Sequence, residues 1–145
     1  MAEDSLTTSR PGSGVRAYAF RLTPGQDLKQ EVLAFARRER LHAAAILTCV
    51  GSLTEVCLRF ANRSEPTVRR GHFEIVSLVG TLCESGGHLH LAVADETGAM
   101  LGGHMLNGCR VYTTAEVVVA DLTGLRFDRH TDATFGYREL VVTPR

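Results

Sequence analysis

Polar and apolar positions alternate from Val15 to Leu22, with the bulk of Tyr18, Phe20 and Leu22 on one side, which predicts a first strand. Thr23-Pro24-Gly25-Gln26 follows, with a threonine suited to cap a helix, a proline suited to its first position and a glutamine able to reach back. A helix is expected to start there. Within it Leu28, Val32, Phe35 and Ala36 recur at helical spacing, a single stripe made to pack on a sheet. Arg37, Arg38 and Arg40 at its end read as a solvated face that complements the helix dipole. Ala43 to Phe60 is a long apolar, β-prone run interrupted at Gly51-Ser52, so it is either two strands joined at a bend or one strand with a bulge. Ala61 to Gly71 is polar and contains Pro66, and is expected to be a loop. His72 to Glu84, His88 to Leu106, Val111 to Leu122, Leu125 to Phe127 and Phe135 to Thr143 are the remaining strand segments. The expected fold class is α+β, an antiparallel-dominated sheet of about seven strands covered by one helix in the N-terminal half.

Composition narrows the functional classes. The 145 residues are 44% hydrophobic and 22% charged, the make-up of an ordinary globular domain. One domain is expected over 15–145, preceded by a polar Ser/Thr/Gly-rich arm, 1–14, expected to be disordered. Sixteen basic and sixteen acidic residues cancel, so no global field draws the chain to a phosphate backbone or an anionic membrane. No apolar run is long enough for a signal peptide or a membrane span, and an intracellular setting is expected, cytoplasmic or, in a eukaryote, nuclear. Cys49, Cys57, Cys83 and Cys109 sit in apolar stretches without a Cys-x-x-Cys pair, as buried free thiols do in a reducing compartment.

The informative stretch runs from Gly86 to His104. Asp95 to Gly98 has the makings of a hairpin turn, with Gly98 supplying the positive φ. A three-residue loop, Glu96-Thr97-Gly98, sets Asp95 against Ala99, and counting back along both strands sets His90 opposite His104. Directly opposed side chains on one face have Cβ atoms about 5 Å apart. His88 shares the face of His90 because side chains alternate along a strand. Ala92, Ala94 and Gly102 leave room on that face, whereas Leu89, Leu91, Val93, Leu101 and Met105 make a core on the other. Three converging neutral imidazoles suit Zn²⁺, which binds nitrogen at about 2.0–2.1 Å and keeps a fourth position open in such a set. The ligand arrangement resembles the zinc site of α-type carbonic anhydrases, a likeness of geometry that confers no activity. The competing reading is a polar subunit interface or solvent face, and a two-residue loop would turn His104 to the core.

Elsewhere the chemistry is sparse. His42, His72 and His130 join no constellation. The Gly-Gly pairs at 86–87 and 102–103 lack the lysine and helix of a phosphate loop. Glu116, charged within an apolar strand, is either a paired core-edge carboxylate, the preferred reading, or a partner or catalytic base beside the histidines.

Gly51-Ser52-Leu53 with Leu58-Arg59, Gly71 to Gly80, His88-Leu89-His90, Gly102-Gly103-His104, Thr113-Thr114-Ala115-Glu116 and Gly136 to Leu140 together resemble the plant-and-prokaryote-conserved domain family (PCC, or PPC) across Val15 to Thr143. The family is found alone in bacteria and archaea and joined to AT-hooks in plant nuclear proteins. The resemblance implies a compact α+β domain, a homotrimer and, in the prokaryote-type form to which the histidine trio ties this chain, a metal site at His88, His90 and His104. It also implies a DNA-binding label, from which this sequence departs. It has no Arg-Gly-Arg-Pro hook, and only Arg69-Arg70 offers a basic loop. Two functions follow as expectations. The first is a homotrimeric, zinc-binding module with weak DNA contact or a protein partner and no membrane. The second is a zinc-dependent enzyme on a small molecule, with Glu116 assisting a metal-activated water.

Overall fold

The computed structural model describes residues 10–145. Its strands are β1 (Val15–Leu22), β2 (Ala44–Arg59), β3 (Pro66–Cys83), β4 (Gly86–Ala94), β5 (Met100–Met105), β6 (Arg110–Leu122), β7 (Leu125–Thr131) and β8 (Arg138–Pro144), with one helix, α1 (Leu28–Arg38). The main sheet runs β1-β6-β2-β3-β4-β5, and β7-β8 form a second, two-stranded sheet. Every strand pairing is antiparallel. This is the α+β architecture expected. The apolar run from Ala43 proves to be one long strand, whose pairing with β6 shifts register three times between Ile46 and Glu55.

The sheet bends back on itself. Leu58 and Arg59 near the end of β2 pair with Met105 and His104 of β5, so β2, β3, β4 and β5 close around an apolar centre. Leu53, Val56, Leu58, Leu89, Leu91, Val93 and Met105 fill it and are fully or almost fully buried. The helix adds its stripe of Leu28, Val32, Phe35 and Ala36. Phe35 stacks on Phe20 at 4.5 Å and meets Tyr18 edge-on at 5.4 Å, which fastens the helix to β1.

Three expectations need correction. The helix starts at Leu28, not at Thr23. Gln26 does reach back, accepting from the Thr23 amide at 2.8 Å, but Gly25 at φ 86° leaves helical space and closes Thr23–Gln26 into a turn of its own. The working cap is Asp27, whose Oδ1 accepts from the Gln30 amide (3.1 Å) and Oδ2 from the Gly108 amide (2.6 Å), as N-cap carboxylates do. Pro66 to Gly71 is strand, not loop. Pro66 sits at the first position of β3 opposite Arg59, where its missing N–H costs no ladder bond. At the C-terminal end, β7 runs on to Thr131 and β8 begins at Arg138 rather than Phe135.

Of the arm expected at 1–14, residues 1–9 lie outside the described residues. Ser13 and Gly14 are tied to the β6–β7 turn, accepting from the amides of Gly124 (2.9 Å) and Thr123 (3.1 Å). The β7–β8 hairpin is anchored where the Phe127 amide donates to the His42 carbonyl (2.9 Å) and Phe127 is buried.

Candidate metal centre

The site is built by one turn. The Gly98 amide donates to the Asp95 carbonyl and the Asp95 amide to the Ala99 carbonyl, both at 2.9 Å. Asp95 Oδ1 accepts from the Thr97 amide (2.8 Å), the Thr97 hydroxyl (2.6 Å) and the Ala99 amide (3.0 Å), bonds that hold its carboxyl below the usual carboxylate range. Gly98 takes φ 82°, which a residue with a Cβ adopts only under strain. The result is the three-residue loop, and it sets His90 opposite His104, Ala92 opposite Gly102 and Ala94 opposite Met100.

The three imidazoles meet. Nε2 of His88 and of His90 lie 3.1 Å apart, and ring centroids are separated by 4.8 Å (88 to 90), 5.1 Å (88 to 104) and 5.6 Å (90 to 104). One ring nitrogen from each can be chosen so that all lie within 4.8 Å of one another. Nitrogens held tetrahedrally at zinc bonding distance stand roughly 3.3 Å apart, so the His88–His90 spacing fits and His104 requires a small adjustment. The opposite faces of β4 and β5 place Leu89, Leu91, Val93 and Met105 in the core, so the rings project from a firm base.

The environment favours the neutral form of two of these rings, His88 and His104. Burial depresses His104 to about 4, with Arg59, His88, Lys29 and His90 adding to the effect. His88 is lowered chiefly by burial and then by His90 and Arg129. A neutral imidazole is the form that binds a metal. Nδ1 of His104 is buried and finds no hydrogen-bond partner among the described residues. Such an atom costs stability unless something takes its lone pair or proton, and a cation shared by the rings is one candidate. On both counts the donor set fits a divalent metal.

A cleft of about 410 Å³ opens beside the rings, lined by Gly87, His88, His104, Arg59 and four residues of the C-terminal hairpin, Arg129, Tyr137, Arg138 and Glu139. Arg59 lies directly across the β2–β5 ladder from His104. Arg129 donates to Thr81 Oγ1 (3.1 Å), and Thr81 is the cross-strand neighbour of His88. Arg138 donates to the Arg129 carbonyl (2.9 Å). Sequence reasoning on the histidines alone passes over these arginines, although Leu58-Arg59 and Tyr137-Arg138-Glu139 both fall within the stretches that carry the family resemblance.

Glu116 does not join the trio. It is exposed on β6, opposite Arg21 of β1 and Val50 of β2, and Arg21 turns to Thr114 and the Thr113 carbonyl instead. The carboxylate that reaches the cleft is Glu139. His42 lies 3.3 Å from Glu84, His72 rests against Tyr112 and His130 is exposed. All four thiols are free, two of them buried and two half-buried. Burial pushes Cys49 up to about 12 and Cys109 up to about 11, which leaves both inert at neutral pH. Arg70 is bound to Glu55 at 2.6 Å, so the Arg69-Arg70 pair presents less free charge than its sequence suggests.

Fold and site define an antiparallel α+β domain that displays three histidines on one hairpin. The chain belongs to the Plants and Prokaryotes Conserved (PCC) domain family, whose model matches residues 9–123. It is 49% identical over 130 residues to the bifunctional protein GlmU of Synechococcus sp. (strain JA-3-3Ab), an alignment that takes in 90% of this chain and 21% of that protein. The chain thus spans about a fifth of the length of that curated relative. Among solved structures, a hypothetical protein from Salmonella cholerae-suis superposes with a TM-score of 0.92 at 47% identity, over 94% of this chain and 99% of that one. A metal-containing protein from Archaeoglobus fulgidus superposes at 0.73 with 25% identity, over 89% and 94%.

Proposed function

We propose that this chain is a metal-binding PCC module that assembles as a homotrimer, with His88, His90 and His104 holding a divalent cation. The observation that carries the reading is the convergence of three imidazoles, two of them with nitrogens 3.1 Å apart. An all-nitrogen set of neutral rings favours zinc over magnesium or calcium, which take oxygen. The Archaeoglobus fulgidus protein, described as metal-containing, supports the same reading. A zinc ion so held supplies a Lewis-acidic open position. The chain's own residues position the rings, favour the neutral form of His88 and His104 and line the approach with arginines.

A binding module is the reading we adopt over a self-contained enzyme. A unit of this size forms part of a much longer bifunctional protein in Synechococcus. A hydrolytic mechanism would need a base at the cleft, where Glu139 rather than Glu116 is at hand. DNA contact is weak and salt-sensitive in this reading, because the chain carries no net positive charge and Arg70 of the Arg69-Arg70 pair is engaged by Glu55, which leaves that loop few charges to neutralise phosphates.

The test is metal analysis of untagged protein purified without chelator, in wild type and in His88→Ala, His90→Ala and His104→Ala. About one zinc per chain is expected in wild type, with most of it lost in each folded variant. Equal metal in all four proteins, or none in any, removes the metal centre from the reading.

A further inference from the structure

We propose that the cleft beside the histidines is a receptor for a small oxyanion of metabolite size, a carboxylate or a phosphate ester, gripped by Arg59, Arg129 and Arg138. The inference deepens the metal reading and rests on it in part. Its first support is charge. The cleft gathers three guanidinium groups against one carboxylate, Glu139. Among the described residues no salt bridge engages Arg59, Arg129 or Arg138. A divalent ion on the rings would add two more positive charges, which only an anionic occupant relieves.

The second support is preorganisation. Arg129 is held by Thr81 Oγ1 at one nitrogen and by the Arg138 carbonyl at another (3.5 Å). Arg138 is held by the Arg129 carbonyl in return, and among the described residues Arg59 donates only to the Arg63 carbonyl, at 3.4 Å. Each guanidinium has five N–H donors in a fixed fork, so every one keeps donors free for a planar carboxylate or a phosphate.

The third support is size and lining. A volume of about 410 Å³ lies within the range of small-molecule sites. The Tyr137 ring at the rim offers an apolar surface for the organic part of such a ligand. Arg129, Tyr137 and Arg138 also lie beyond residue 123, where the match to the family model ends. The receptor is therefore composite, with the histidine hairpin and Arg59 from the PCC segment and the other two arginines from the hairpin that follows it.

The experiment is calorimetric titration of metal-free and zinc-loaded protein with succinate, glycerol 3-phosphate, uncharged glycerol and a short DNA duplex, alongside Arg59→Gln and Arg138→Gln. Zinc content is measured on every sample. Arg129 is left intact because it braces the hairpin. Zinc-loaded wild type is expected to bind at least one of the two anions in the millimolar range or tighter and to ignore glycerol. Each glutamine variant is expected to weaken that binding by about tenfold or more while keeping its zinc. No response to either anion, an affinity unchanged in both variants, or a duplex that outcompetes both anions would overturn the receptor. Arginine-dependent anion binding by protein that takes up no zinc would uphold the receptor and sink the metal reading alone.

Discussion

At the scale of single residues, the histidines are set apart by what surrounds them. His104 is held neutral by burial first and by the positive charge of Arg59 next. The sign of its effect on stability follows from counting protons. In metal-free protein, between the ordinary value of 6.5 and about 4, the unfolded chain takes up a proton at this position and the fold does not, so stability from this group is complete above 6.5 and is lost as pH falls toward 4. Chelator-stripped wild type should therefore melt at a lower temperature at pH 4.5 than at pH 7, and His104→Gln should show a smaller drop. An identical drop in the two proteins would mean that His104 titrates normally in the fold. The trio was legible in the sequence because its meeting depends on a local turn, with Asp95 and Gly98 supplying the chemistry that sets the register. Arg59, Arg129 and Arg138 were not legible as a group. They meet only because β5 returns to β2 and the C-terminal hairpin folds over Thr81, and no local pattern announces a contact between segments so far apart.

At the scale of elements, β4 depends on a close approach by β3. Gly80 sits opposite Leu89, and a Cβ built there would run into the His88 carbonyl oxygen and stand 2.6 Å from Leu89 Cδ2 and 2.9 Å from Leu89 Cα. Backbone of the histidine strand cannot give way without moving His88. Gly80→Ala should therefore cost about 2 kcal/mol in a urea melt, in the range of overpacking substitutions, and should lower zinc content as well. Gly102→Ala is the control. Its Cβ would meet Leu91 O at 3.1 Å and Ala92 Cβ at 3.2 Å, a milder crowding on the β5 side of β4. A Gly80→Ala protein as stable and as metal-rich as wild type would show that the two strands separate freely. The elements misread from sequence share one cause, which is that a local signal was satisfied locally. Thr23 and Gln26 bond to each other as a capping box would, yet the helix waits for Asp27, whose second carboxylate oxygen reaches Gly108 far along the chain. Pro66 and the polar residues around it resemble a loop until β2 offers them a ladder.

At the scale of the whole molecule, apolar side chains remain uncovered in the middle of the main sheet. Leu47 and Val50 of β2 and Val76 and Val79 of β3 are each half or more exposed. The pairings Ala45↔Thr81 and Ser52↔Glu74 bracket this stretch, so the four residues lie on adjoining segments of the two strands. The surplus of apolar strand over a single helix is visible in the sequence. Which of those residues stay uncovered is not, because it depends on where α1 comes to rest. A patch of this kind on central strands calls for a partner, and the family resemblance points to two further copies of the chain in a closed ring. Val79 lies opposite His90 on β4, so assembly through this patch would bring subunit contacts up to the edge of the histidine face without occupying the arginine cleft on its other side. Sedimentation at micromolar concentration should give three times the chain mass of 15.8 kDa. Leu47→Glu and Val50→Glu should shift the protein to monomer, because a carboxylate buried without a partner at an interface is strongly unfavourable. Neither position lines the arginine cleft or belongs to the histidine cluster, so the zinc content per chain should stay unchanged in the monomer. A wild-type monomer would end the trimer, and a trimer unmoved by both substitutions would place its interface on some other face of the domain.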